Sequence, residues 1–266
     1  MIFFWSLNGT SNYLLALCSF YELLYQIGVF LFVYTAFSGQ NFIEGRLAAK
    51  ILFIPVIGIG GISPAMFSTG IDRLIGIAFS EFHDKLKKRL YLALLTVVSL
   101  SYGLCFSIKM YQNAIKDGDQ MTTGSYVGLK NVSLATISFL LVSMTFIIYV
   151  CLGIVVRSKA SGLPSSDSIN RRTFRALFYI CAVNVGGYWF TAISYLLINS
   201  LISSPSTSWF CQAITSIPAI IGAVSNGPIL YFTSTEYRQA LQTEFPFVFR
   251  RISNVNQVIP LQNTQT

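Results

Sequence analysis

Residues 51–71 read ILFIPVIGIGGISPAMFSTGI, twenty-one positions without a charge, closed by Asp72-Arg73. One more apolar turn leads to a cluster of Lys85, Lys87, Lys88 and Arg89. A helix of about 20 apolar residues crosses the hydrocarbon core of a bilayer, and Lys and Arg clustered beside a span mark its cytoplasmic end. The rest of the composition agrees with a membrane protein. Only 11% of the 266 residues are charged, against about 25% in a soluble domain, and the mean hydropathy is +0.61. The net charge of +8 does not point to nucleic acid, because the basic residues sit in short loops between apolar runs.

Taken in order, the apolar runs predict an all-α, multi-pass transmembrane helix bundle with spans over about 14–37, 51–71, 90–108, 132–156, 176–198 and 210–232. Residues 1–13 form an N-terminal segment, 14–232 the bundle, and 233–266 a polar tail. Thr233 and Glu236 make a T-x-x-E capping box. Tyr237, Ala240, Leu241 and Phe245 follow at helical spacing, so the tail is expected to open with a short amphipathic helix over about 234–245. Thirteen Lys and Arg fall on the side of the 80–89 and 157–175 loops and the tail, and five on the other. The richer side is therefore expected to be cytoplasmic, with both termini there. The five cysteines are scattered without metal-ligand spacing, and those in apolar runs read as small buried thiols.

Four groups of residues can carry mechanism. Glu22 is the only acid inside a span. A carboxylate at that depth costs roughly 2.5–3.5 kcal/mol on insertion scales, so it must face the bundle. There it is either an ion or proton site that responds to helix movement, or an interhelical hydrogen bond that only fixes packing. Asp72-Arg73 is either a coupling pair or an arginine snorkelling to the headgroups beside a compensating acid. Asn226-Gly227-Pro228-Ile229-Leu230-Tyr231 places Pro-x-x-Tyr at the inner end of the last span, where proline frees a carbonyl and Asn and Tyr can re-satisfy polar groups. Together with Glu22, residues Asn226, Pro228 and Tyr231 form a candidate intramembrane polar switch. Asn184, Gly186, Gly187, Tyr188 and Trp189 combine small residues and aromatics; Tyr188 and Trp189 are candidates for a ligand cavity.

With these residues in place, the chain resembles a nematode serpentine chemoreceptor of the Srsx class, within the rhodopsin-like G-protein-coupled receptors. The resemblance rests on NYLLALCSFYELLYQIG for helix two, Pro55 with MFSTGIDRLIGIAF for helix three, GGYW in helix six, and SNGPILYFTSTEYRQAL for helix seven and the helix after it. It implies that Arg73 is the coupling arginine, Glu22 the helix-two acid, and Pro228 with Tyr231 the helix-seven motif. It also implies detection of an extracellular small molecule or peptide, activation of a heterotrimeric G protein, and residence in the plasma membrane of a sensory cell. Lipid is the remaining partner; no enzyme activity, cofactor, metal or nucleic acid is expected.

Several positions depart from the family pattern. Leu74 follows the arginine where an aromatic is usual, Asn226 stands one position early, and helix six has no proline. The family usually ties the top of helix three to the second outer loop with a disulfide, yet 44–55 and 109–130 contain no cysteine. The first helix of the family has no counterpart before Leu14, so the six spans match helices two to seven. On that alignment the flank carrying Glu22 and Asn226 is expected to lie open. The competing class is a six-span transporter or channel subunit. No span repeats Arg as a voltage sensor does, and no two halves match as transporter repeats do.

Overall fold

The computed structural model describes residues 10–39, 42–116, 121–122, 132–160, 168–233, 238–239 and 242–243. Its helices are α1 (Thr10–Phe37), α2 (Gly45–Ala78), α3 (Ser80–Lys85), α4 (Lys88–Lys116), α5 (Val132–Ala160), α6 (Ser168–Leu201), α7 (Pro205–Thr215) and α8 (Ile217–Thr233). A two-residue strand β1 (Ile43–Glu44) pairs antiparallel with β2 (Met121–Thr122). By length and hydropathy, Asn12–Phe37, Gly45–Ala78, Lys88–Lys116 and Thr136–Val155 can each cross a membrane. The multi-pass helical bundle expected from the apolar runs is therefore present.

The expected spans are apolar cores of longer helices. At 34 residues, α2 is about 50 Å long, well beyond the ~30 Å of the hydrocarbon core. It continues past the apolar run at both ends, because a helix stops at a change of backbone chemistry and not at the edge of an apolar run. The same holds around the 157–175 loop, into which α5 and α6 extend as far as Ala160 and from Ser168. The expected 80–89 loop is likewise partly helical, since α3 occupies Ser80–Lys85.

One expected span is broken. Residues 210–232 fall on two helices, α7 and α8, separated at Ser216. Pro218 follows that break: proline has no N–H to give the preceding turn and disfavours a helical residue before it. The tail helix expected over 234–245 falls mostly outside the described residues, although 238–239 and 242–243 are helical.

Helix α2 is the centre of the bundle. Two thirds of its membrane-crossing window (67%) is buried, against 28% or less for the other three candidate spans. It packs against α1, α4 and α5, while α6 packs against α5, α7 and α8. Cys18 and Tyr21 of α1, Met66 of α2, Leu152 of α5 and Val185 of α6 share one apolar core. Leu52 and Val56 of α2 meet Phe106 and Met110 of α4 in a second.

Close approach makes this arrangement possible. A Cβ on Gly58 would stand 2.6 Å from the Tyr21 carbonyl oxygen of α1, and one on Gly60 would stand 2.8 Å from the Gly103 Cα of α4. Small residues let helix backbones meet in lipid, where packing and interhelical hydrogen bonds replace the hydrophobic drive. The Ser107 hydroxyl of α4 adds one such bond, donating to the Phe53 carbonyl of α2.

Two expectations need correction. Glu22 does not lie on an open flank: it is 5% exposed and bonded to α6, because the alternative is a carboxylate in lipid. Cys18 is a buried thiol as expected, but Cys105 and Cys151 are exposed. A thiol is apolar enough to sit on the outer surface of a membrane helix.

The glycine contacts predict a contrast between two substitutions. Gly60→Ala, forced against backbone, should destabilise the protein by about 1–3 kcal/mol. Gly76→Ala, with nothing within 4 Å of its Cβ, should be neutral or stabilising by about 0.5–1 kcal/mol. Thermal unfolding of the detergent-solubilised chain measures both.

Candidate functional site

The C-terminal end of α2 carries the polar cluster nearest to a working site. Asp72 is 1% exposed, and each oxygen of its carboxylate accepts a hydrogen bond. The Thr10 hydroxyl of α1 donates to Oδ2 at 3.2 Å, and His83 Nε2 of α3 lies 3.1 Å from Oδ1. Thr10 Oγ1 and His83 Nε2 are themselves 3.4 Å apart, so three elements converge on one carboxylate. The Tyr91 hydroxyl of α4 is buried beside that carboxylate.

Arg73 is 8% exposed, and its Nε and Nη2 are buried without a hydrogen-bond partner among the described residues. The guanidinium stays inside the bundle, and the acid next to it is held by α1 and α3. Buried N–H donors without acceptors are costly, and an incoming acceptor would satisfy them.

Glu22 forms a second polar centre within the membrane. Asn184 Nδ2 of α6 donates to its Oε1 at 2.8 Å, joining α1 to α6 across the bundle. The Cys18 thiol lies one turn away, 3.6 Å from the Thr69 hydroxyl of α2. Thr69 in turn donates to the Ala65 carbonyl at 2.8 Å, which leaves no hydroxyl proton exposed to lipid. Tyr188 packs against this core, and its buried hydroxyl has no hydrogen-bond partner among the described residues. Trp189 stacks on Phe146 with ring centroids 5.2 Å apart and donates its indole N–H to Ser143 Oγ at 3.2 Å. Trp189 therefore fills the seam between α5 and α6, while Tyr188 sits in the core beside Glu22, Tyr25 and Cys18 of α1.

The remaining candidates lie on α8. Pro228 is exposed within the helix. Tyr231 is half-buried, and Arg238 engages it in two ways. Arg238 Nε donates to the Tyr231 carbonyl at 3.1 Å, and Nη2 donates to the Phe232 carbonyl at 3.2 Å. The guanidinium carbon also stands 5.7 Å from the Tyr231 ring centroid. A basic side chain thus caps orphan carbonyls at a helix C-terminus. The side chain of Asn226 lies outside the described residues.

Thr10, His83 and Arg238 were not singled out in the sequence. Thr10 and His83 come from separate elements and meet Asp72 only in three dimensions. Arg238 stood in the expected tail helix as one inner-side charge among thirteen.

The Glu22–Asn184 bond predicts a graded response. Glu22→Ala removes the acceptor beneath a buried amide, at a cost of about 1–3 kcal/mol. Glu22→Gln keeps an acceptor oxygen and should cost less than about 1 kcal/mol. Thermal unfolding in detergent separates the two.

Beyond the helices, Ile43 pairs with Thr122 and Glu44 with Met121. These strands join two segments that contain no cysteine.

Among known proteins, the family model of the serpentine type 7TM GPCR chemoreceptor Srsx matches residues 4–245. No curated protein and no solved structure matches the chain significantly. The match covers the helices that hold Glu22, Asp72, Arg73, Pro228 and Tyr231, and it favours a receptor over a six-span transporter or channel subunit. The chain belongs to the Srsx family of serpentine seven-transmembrane chemoreceptors.

Proposed function

We propose that this chemoreceptor detects an extracellular small molecule or short peptide and activates a heterotrimeric G protein through Asp72 and Arg73. The observation that carries this reading is the state of Arg73, a buried guanidinium with two unsatisfied nitrogens next to an acid already engaged elsewhere. A donor held in that state is stabilised by any partner that offers acceptors, and charge-assisted hydrogen bonds are the strong ones. The positive bias of the flanking loops supports a cytoplasmic position for this end of α2, where a G protein is available.

In this reading the rest of the bundle transmits the signal. Glu22 and Asn184 tie α1 to α6, and Tyr188 and Trp189 pack α6 against the core. A ligand that shifts α6 from the outside alters the same hydrogen bond. Asn226, Pro228 and Tyr231 give α8 a proline-weakened segment near its inner end, where it can bend. The plasma membrane of a sensory cell is the location that suits such a receptor.

The test is a screen of transfected cells with volatile odorants and short peptides, read by calcium or cAMP. Arg73→Ala should lower the response to an active compound by at least about tenfold, or ~1.4 kcal/mol, with surface expression unchanged. A full response from Arg73→Ala would remove Arg73 from the mechanism.

A further inference from the structure

Two membrane-crossing helices, α2 and α4, are joined by a short stretch that turns at one face of the membrane. Within it Lys85, Lys87, Lys88 and Arg89 crowd into five positions, and all four side chains are exposed. Among the described residues no ion pair or side-chain hydrogen bond reaches them. Glu81 and Asp84, the two acids of the stretch, leave the cations in excess. No acid stands in the first turn of α4, so Lys88 and Arg89 add their charge to the positive end of that helix and gain nothing from its dipole.

Two large rings stand open beside these charges. Phe79 and Phe82 are 64% and 58% exposed, although a phenyl ring gains by leaving water. His83 lies between the rings and the cations and turns the other way. Its Nε2 meets the Asp72 carboxylate and the Thr10 hydroxyl inside the bundle, and that inward anchor leaves Phe82 and Lys85 facing outward. The exposed apolar side of α4 begins at once, with Leu90, Leu94 and Val97, so hydrocarbon reaches the first turn of the helix. The cations therefore stand at headgroup depth, with the rings beside them at the border of the acyl chains.

We propose that residues 79–90 form a docking surface for anionic phospholipid: Lys85, Lys87, Lys88 and Arg89 hold the phosphate and carboxylate groups of acidic headgroups, and Phe79 and Phe82 seat the segment at the edge of the acyl layer. Basic clusters next to a membrane span attract acidic lipid, and apolar side chains that enter the interface add to such binding. A zwitterionic headgroup carries its own cation and offers these side chains no net charge. A soluble acidic partner would satisfy the cations and leave the rings in water. Lipid satisfies both, and the hydrocarbon already lies against the next turn of the chain.

The test uses the full chain in nanodiscs of phosphatidylcholine and phosphatidylserine, with each lipid supplied in turn in a form carrying a photoreactive group near the glycerol. Peptides covering 79–90 should be labelled at least about fivefold more by phosphatidylserine than by phosphatidylcholine at equal concentration, the effect of roughly one Lys or Arg near an anionic surface. High salt should lower that ratio, because exposed charges are screened. Lys85→Gln, Lys87→Gln, Lys88→Gln and Arg89→Gln combined should bring it close to one without changing the melting temperature, since the four side chains are exposed. Equal labelling by the two lipids in the unsubstituted chain, or a preference that survives the combined substitution, overturns the proposal.

Depth gives a second reading that leaves the cations in place. Phe82→Trp, read as a difference from the chain with its own three tryptophans, should be quenched by brominated acyl chains. Failure of that quenching would show a segment standing in water, open to a soluble partner, and would overturn the lipid assignment. Neither measurement needs a ligand or a G protein, so their failure leaves the Arg73 test standing, and a full response from Arg73→Ala leaves the lipid surface standing.

Discussion

A helix packed against three others has little surface to give to lipid, and this constraint on α2 governs the rest of the structure. Most of its membrane-crossing window meets a neighbour at contact distance. Where a backbone would otherwise be held off, glycine stands: Gly58 against α1 and Gly60 against Gly103 of α4. Water drives no helix association inside a bilayer, so this proximity and a few interhelical hydrogen bonds hold the bundle together. The burial of α2 also dictates what its inner end can be. Asp72 and Arg73 continue the same buried helix, so a charged pair is carried into a place where charge must find partners.

The polar groups show the same economy of alternatives. In hydrocarbon an acid cannot exchange a lost partner for water. Glu22 is therefore tied to Asn184 on the far side of the chain, and Asp72 draws in Thr10 and His83. Among the described residues Arg73 is the charged side chain whose buried donors find no acceptor. Natural structures satisfy more than about nine in ten of their buried polar groups, and an unsatisfied cation beside a satisfied acid is a strained arrangement. Strain of this kind is where two states of a receptor can differ in energy.

Much of this was legible from residue order. The uncharged run at 51–71 marked the central helix, and the Lys and Arg cluster after it marked that helix's inner end. Glu22, as the lone acid in a span, could be assigned to the interior from its insertion cost alone. Its partner could not, because Asn184 stands 162 positions away and an amide in a helix has many possible neighbours. His83 read as a loop residue since periodicity carries no signal across a helix of six residues. The break at Ser216 was hidden for a related reason. Apolar composition runs through it unchanged, and only Pro218 hints that a bond of the helical ladder is missing.

The central claim is that α1 and α2 pack in the register that buries Asp72, Arg73 and Glu22 together inside one bundle. Cys18 and Thr69 report on it most directly, since their side-chain heteroatoms are 3.6 Å apart across that interface. With the other four cysteines replaced by serine or alanine, Thr69→Cys should form a disulfide with Cys18 on oxidation in membranes, detected as a linked peptide by mass spectrometry. A control chain that combines Cys18→Ala, Ser19→Cys and Thr69→Cys should not form a link, because Ser19 is exposed on α1. Absence of the 18–69 link, or its formation equally from position 19, would contradict the packing from which the whole account is built.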